Sequence, residues 1–202
     1  RVPWTRMEIA GPGFVNFHLD RKWLLDWLMH YGCSDHLEVA AKEILKGQKV
    51  VVDFSSPNTA KQMHVGHIRS TVIGDAICRI LSFCGADVIR DNHIGDWGTQ
   101  FGILIMILKR NGVDLGSVEG DPIAVLEDLY RKGSALTQED PSALELARAE
   151  LVRLQNGDPE NMGIWKAIVE ISYREFEKIY DRLGVGFDYV LGESFYRDKV
   201  DR

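Results

Sequence analysis

Little in this 202-residue sequence points to an unusual environment. It holds three cysteines, Cys33, Cys78 and Cys84. An odd number without paired spacing does not suggest a disulfide framework. Cys78 and Cys84 fall in an apolar helical stretch, so both read as buried thiols in a reducing compartment such as the cytoplasm. No apolar run is long enough to span a bilayer, and no membrane partner is expected; the longest run lies around Ile103 to Leu108. The opening Arg-Val-Pro-Trp lacks the apolar centre of a signal peptide. Internal repeats and low-complexity stretches are absent. Positive charge is scarce as well: 24 Lys and Arg against 30 Asp and Glu leave a net charge of -6. That excludes nucleic-acid binding by bulk charge alone, though not a local basic stripe or docking through another domain.

What is present is ordinary for a globular protein, with 45% hydrophobic and 27% charged residues. Residues 4 to 20 read as two strands around Gly11-Pro12-Gly13, with Val15, Phe17 and Leu19 alternating. Residues 21 to 31 read as a helix closing at Gly32, and residues 35 to 46 as a short helix and linker ending at Gly47. The text then changes. Lys49 to Phe54 is a short apolar run, as expected of a strand buried on both faces of a parallel sheet. A polar loop, Ser55 to Met63, leads to a long helix from about Val65 to Phe83. Its apolar positions Val65, Ile68, Val72, Ile73, Ile77, Ile80 and Leu81 recur at helical spacing, and Gly85 supplies a stop. Asp87 to Arg90 is the next strand, Asp91 to Gly98 a loop, and Thr99 to Lys109 a second apolar helix. This is β-α-β-α, the order of a parallel sheet with right-handed crossovers. From Pro122 the text is helical, punctuated at Pro141 and Gly157-Asp158-Pro159. One apolar face carries Leu144, Leu146, Leu151 and Leu154; another carries Ile164, Ile168, Ile171, Phe176 and Ile179, ending near Gly184. Phe187 to Leu191 reads as a third strand. The chain stops at Arg202 without a cap, which suggests truncation at the C-terminus.

The chemistry centres on His64-Val65-Gly66-His67, where a strand hands over to a helix through a loop. Ligands of open α/β sheets bind at the carboxyl ends of the strands. A helix start there presents unpaired N–H groups and a positive dipole end to an anion. Two imidazoles three residues apart share nearly one face and can donate to phosphate oxygens. Gly66 leaves room for a planar base to lie against the backbone. The spacing alone leaves three readings open: a triphosphate site, a zinc pair, or chance. Zinc is the weaker of the first two, because no Glu follows the first His, no Cys pair is near and no third ligand is evident. No metal ligand is therefore assigned.

Asp53-Phe54-Ser55-Ser56-Pro57-Asn58-Thr59-Ala60-Lys61-Gln62-Met63-His64-Val65-Gly66-His67-Ile68-Arg69-Ser70-Thr71 closely resembles the signature of the arginyl-tRNA synthetases. Asn92 to Gly102 does so too. Gly11 to Phe17 looks like the close of that family's N-terminal tRNA-contacting domain, and Gly192-Glu193-Ser194-Phe195-Tyr196 also looks like family text. The resemblance implies an α/β fold: a Rossmann-like parallel sheet of the class I synthetase, HIGH-superfamily type, with a helical insertion over about 120–184. It implies residues 1–20 as the tail of the tRNA-contacting domain, 21–48 as a helical linker, and 49–202 as the first half of the catalytic domain.

The implied function is arginine–tRNA ligase. Arginine attacks the α-phosphate of ATP to give arginyl-adenylate and pyrophosphate, and the arginyl group then passes to the 3′-terminal ribose of tRNA(Arg). ATP comes with Mg²⁺ as a substrate complex; no tightly bound cofactor is implied, and the parent enzyme is expected to be monomeric. There is no acyl-enzyme, so catalysis is positioning plus charge stabilisation. By the same resemblance His64, Gly66 and His67 match the motif that holds ATP, with His67 also near the amino acid. Lys61, three residues ahead of His64, looks like the substitute for the phosphate-neutralising lysine of a mobile KMSKS loop, which this sequence lacks; the plain alternative is a solvated loop lysine. Ser56, Pro57 and Asn58 match the stretch that grips the substrate's α-amino end, and Asn58 also fits a turn after Pro57. Asp53 either helps hold the cationic substrate or caps the following loop. Asp96 and Gln100 are expected to line the arginine pocket, Trp97 to pack, and Arg69 to Asp75 to support the helix; His93 stays open between nucleotide contact and a turn cap. Lacking the later half of the fold, the chain alone is expected to bind ATP weakly and to discriminate arginine poorly. Two other functions stand beside this one: a tRNA-independent nucleotidyltransferase of the same superfamily, and a non-catalytic synthetase paralogue binding RNA or a partner protein.

Overall fold

The structure, a computed structural model, describes residues 3–32, 35–118, 120–197 and 199. Cys33 and Arg202 lie outside the described residues. The chain divides into two units, Arg1–Val50 with Arg79–Asp87, and Val51–Cys78 with Val88–Arg202.

The first unit opens with the expected hairpin. β1 (Trp4–Ala10) and β2 (Phe14–Leu19) pair antiparallel, with Met7 opposite Phe17 and Ile9 opposite Val15. The alternation of β2 is real, yet all six of its residues are exposed. α1 (Arg21–Tyr31) starts where Asp20 accepts the Lys22 N–H at 2.8 Å and ends at Gly32, as expected. α2 (His36–Lys42) is the expected short helix, and turns carry the chain on to Gly47. Within this unit the Leu45 N–H donates to the Cys84 carbonyl and the Asp87 N–H to that of Gln48.

The second unit is built on a three-stranded sheet in the order β3 (Lys49–Asp53), β4 (Asp87–Asn92), β5 (Tyr189–Val190). β4 and β5 run parallel, Asp91 opposite Tyr189 and Asn92 opposite Val190. α3 (Val65–Phe83) links β3 to β4 over the expected residues. Two expectations are corrected here. β3 is not buried on both faces: exposed and half-buried residues alternate, and Val51 is 63% exposed. Nor does the apolar stripe of α3 form its buried face. Val65, Val72, Ile73, Ile77 and Ile80 are exposed, and the buried positions are Thr71, Gly74 and Cys78. The physical reason is clearance. A Cβ on Gly74 would collide with the Phe54 ring, so the helix comes closest where its side chains are smallest. Phe54, Cys78 and Val185 form the resulting core with Val52, Val88 and Phe187. Cys84, expected buried, is half-buried.

The larger core belongs to the helices. α4 (Gln100–Asn111) buries Phe101, Leu104, Ile105, Met106, Ile107 and Leu108, a helix apolar nearly all round. α5 (Pro122–Glu139), α6 (Pro141–Gln155) and α7 (Pro159–Leu183) surround it. Each starts at an Asp-Pro pair: Asp121, Asp140 and Asp158 accept backbone N–H groups of the first turn, and proline takes the position whose N–H has no partner. The α7 face follows the expected positions. In α6 Leu154 is buried as expected, but Leu146 is 54% exposed, and Ala143 and Ala147 are buried instead, because their short side chains let α6 lie close on α4. The Lys109 ammonium, 3.0 Å from the Glu150 carboxylate and 2.6 Å from Asn161 Oδ1, ties α4, α6 and α7 together. α8 (Glu193–Tyr196) follows β5. No described helix is long and apolar enough to cross a membrane.

Candidate functional site

β3 ends at Asp53, and residues 54–63 thread from the strand end to α3. Ser55, Ser56 and Ala60 take positive φ (76°, 49° and 59°). Left-handed backbone costs a non-glycine residue about 1 kcal/mol, so the surroundings must hold it. They do so residue by residue. The Phe54 N–H donates to the Asp91 carbonyl (3.1 Å), the Ser56 N–H to Asn92 Oδ1 (3.0 Å), the Gly95 N–H to the Pro57 carbonyl (3.0 Å), and the Thr59 N–H to the Gly95 carbonyl (3.1 Å). Asn58 and Gly95 form a parallel bridge. The two most distinctive blocks of the sequence are therefore zipped together along the carboxyl ends of β3 and β4.

At the start of α3 the two histidines cap the helix reciprocally. The Gly66 N–H donates to His64 Nδ1 (3.1 Å), and the His64 N–H donates to His67 Nδ1 (3.2 Å). This is the logic of a capping box, with imidazoles in place of hydroxyl and carboxylate. The rings stack with centroids 3.9 Å apart and planes 29° apart. A nitrogen that accepts an N–H carries no proton, so each neutral ring holds its proton on Nε2. The remaining donor of each ring is thus set by the backbone. The space over Gly66 differs from expectation: the His64 ring occupies it, and a Cβ there would come within 2.8 Å of His64 Cε1. Gly66 is required because a ring folds back to cap the helix. Beside this turn lies a hollow of about 290 Å³ lined by Asp53, Phe54, Gly66, Arg69 and Ser70, among others.

Burial, and second the neighbouring His64, hold the His67 imidazole below its ordinary value of 6.5. The unfolded chain therefore takes up this proton first as pH falls. The stability that His67 contributes is complete above about 6.5 and is lost as pH drops through the lower folded value. Protonation also removes the Nδ1 lone pair that caps the helix. Melting temperature is expected to fall between pH 7.5 and 5.5, with a shallower fall in His67→Ala. Equal slopes in the two proteins would dissociate the pH dependence from this ring.

The other expected residues separate. Asp53 accepts from Ser56 Oγ and the His93 N–H, each at 3.3 Å, and so caps the loop. Ser56 and Asn58 are exposed at the strand ends, and Pro57 is buried between them. Lys61 rests 5.7 Å from the Tyr130 ring and lines hollows against α5 and α7 that contain neither histidine. Asp96 is only 4% exposed, with both carboxylate oxygens occupied: Oδ1 accepts the Ser194 N–H (2.8 Å) and Oδ2 the Ser194 hydroxyl (2.6 Å). Gln100 opens α4 and donates to the Trp97 carbonyl at 3.4 Å. Trp97 packs on Trp165, as expected, and His93 stacks on Tyr196. Ser70 Oγ accepts the Ser55 N–H at 3.4 Å, which fits the supporting role expected for residues 69 to 75. Sequence reading missed three buried polar groups: Thr71 and Tyr180 bond the Ser55 hydroxyl, and Asn92 bonds Tyr180. The local signal was a tyrosine on the buried face of α7 that carries Phe176. Among the described residues no three His, Cys, Asp or Glu side chains converge as a metal site.

A family model described as "tRNA synthetases class I (R), catalytic domain" matches residues 34–202. The arginine–tRNA ligase of Fusobacterium nucleatum is 47% identical over 195 residues, 96% of this chain and 33% of that protein. The arginine–tRNA ligase of Picosynechococcus sp. is 49% identical over 189 residues, 93% of this chain and 32% of that protein. Among solved structures, arginyl-tRNA synthetase from Plasmodium falciparum aligns at a TM-score of 0.59 and 31% identity, covering 97% of this chain and 34% of that one. Arginyl-tRNA synthetase from Thermus thermophilus, at 24% identity and a TM-score of 0.54, shares the fold. The chain spans about a third of the length of the curated relatives it matches.

Proposed function

We propose, from the premise that this chain belongs to the family of class I tRNA synthetase (R) catalytic domains, that it supplies the ATP-binding part of an arginine–tRNA ligase. The observation that carries the reading is the pair of backbone-capped imidazoles at the start of α3. Each offers an Nε2–H where the helix dipole already favours an anion. In the first step the arginine carboxylate attacks the α-phosphorus of ATP, pyrophosphate leaves, and His64 and His67 donate to oxygens on which charge develops. In the second step a hydroxyl of the terminal ribose of tRNA(Arg) attacks the arginyl carbonyl, the acyl–phosphate bond breaks and AMP leaves. Mg²⁺ arrives on the triphosphate. Lys61 joins the phosphates by leaving the Tyr130 ring.

Ser56 and Asn58, exposed at the strand ends, are assigned to the α-amino end of arginine, and Gln100 to the lining of the arginine pocket. Asp96 is assigned to the arginine pocket from a fixed position: each of its oxygens accepts one hydrogen bond from Ser194, which ties it to α8 and leaves lone pairs on both. Residues 1–20 are assigned to the tail of a tRNA-contacting domain, 21–48 to a linker, and 49–202 to the first half of the catalytic domain. The parent enzyme is read as a cytoplasmic monomer.

The test is ATP–pyrophosphate exchange by the full-length protein with each of the twenty amino acids, with and without tRNA(Arg). Exchange that requires arginine and falls in Lys61→Ala supports the reading. Exchange with no amino acid removes it and leaves a non-catalytic role.

A further inference from the structure

A run of buried hydroxyls joins the far end of the helical segment to the site. The Tyr180 side chain, 4% exposed, comes from the last turn of α7. Its hydroxyl lies 2.8 Å from Ser55 Oγ and 3.1 Å from Asn92 Nδ2. Thr71 Oγ1 lies 2.9 Å from Ser55 Oγ and 2.8 Å from the His67 carbonyl. Thr71 has one hydroxyl proton, shared between the Ser55 hydroxyl and the His67 carbonyl. The Asn92 amide donates to Tyr180, and the Tyr180 and Ser55 hydroxyls bond each other. The hydrogen bonds thus run without a break from Asn92 through Tyr180, Ser55 and Thr71 to the His67 carbonyl. The carbonyl oxygen of Asn92 meanwhile accepts the Ser56 N–H. Both left-handed serines are thereby tied to one phenol. Burial pushes the Tyr180 phenol up, so it stays a neutral donor at ordinary pH.

We infer that Tyr180 is a positioning residue: its hydroxyl holds Ser55 and Asn92 so that the loop through Ser56 and Asn58 and the first turn of α3 keep the geometry that receives arginine and ATP. The inference rests on the ligase reading for its kinetic consequence and on the hydrogen-bond chain for its structural one. Tyr180→Phe removes the acceptor for Asn92 and the hydroxyl partner of Ser55 while leaving the ring in place. In the full-length ligase, well below its melting temperature, the KM for arginine is expected to rise about tenfold, the worth of one or two neutral hydrogen bonds, with kcat within about twofold. Thr71→Val, which cuts the same chain, is expected to share the defect, and Thr71→Ser, which keeps the hydroxyl, to retain the parent KM. The Ser56 amide is expected to exchange with solvent about tenfold faster in Tyr180→Phe. A lower melting temperature with KM and amide exchange unchanged would make Tyr180 merely structural and overturn the inference. If the parent protein shows no exchange with any amino acid, the ligase reading falls, and the Ser56 amide alone decides the positioning role.

Discussion

In the full-length ligase proposed above, His67→Ala is expected to lower arginine-dependent ATP–pyrophosphate exchange by about 10²–10³-fold, the usual loss when one preorganised donor to a developing oxyanion is removed. The protein should stay folded, because what it forfeits structurally is one end of a helix cap, worth about 1 kcal/mol. The geometry supplies a sharper control. His67 sits where an ordinary capping box carries Glu or Gln, three residues after the capping residue, and its Nδ1 accepts the His64 N–H at 3.2 Å. His67→Gln keeps an acceptor for that N–H and offers an amide donor from the same place. It should restore the melting temperature fully and exchange only in part, since an amide fits the position of Nε2–H imperfectly. Parental exchange rates in a folded His67→Ala protein would remove this ring from the chemistry.

Gly74→Ala should be the most destabilising single-methyl change in the second unit, at about 2–3 kcal/mol. The added carbon would collide with the Cβ, Cγ and Cδ2 atoms of Phe54. Because Cβ is among them, a rotamer change cannot relieve the clash; either β3 or α3 must move. Phe54 is 4% exposed and packs at a tilt against Phe187, ring centroids 4.8 Å apart, so moving the ring also disturbs that contact. Any shift is passed on, because Phe54 is followed by Ser55 and Gly74 is one turn from Thr71. Denaturant unfolding at unchanged m-value measures the loss. A second substitution, Phe54→Leu, should recover part of it by freeing space. A loss below about 0.5 kcal/mol would show that the strand and helix slide apart freely, contrary to the close packing described here.

These two sites mark where sequence reading succeeded and where it stopped. The histidine pair was legible because its relation is local: one turn of helix, three residues, one strand end. So were the Asp-Pro starts of α5, α6 and α7, whose capping aspartates act within three residues. The buried face of α3 was not. Helical spacing names an apolar stripe, but which side of a helix is covered depends on what lies against it, and Phe54 selects the side bearing Thr71, Gly74 and Cys78. Asp96 illustrates the same limit at the site. Its position after a sheet strand suggested a pocket, and only the arrival of Ser194, 98 residues later, reveals what holds its carboxylate in place.

By itself the sequence determined the β-α-β order and the strand-to-helix turn that holds the two imidazoles. Both are written in short-range patterns of turn, cap and hydrophobic period, and the family showed only through the resemblance of residues 53–71 and 92–102 to a known signature. The tertiary structure alone decided which rings and hydroxyls bond to which. The Nδ1 atoms of His64 and His67 are committed to backbone, Lys61 leans toward Tyr130, and Tyr180 meets Ser55 across 125 residues of chain. The reason is physical. A buried polar group must find a partner wherever the folded chain brings one, and sequence separation places no bound on that search.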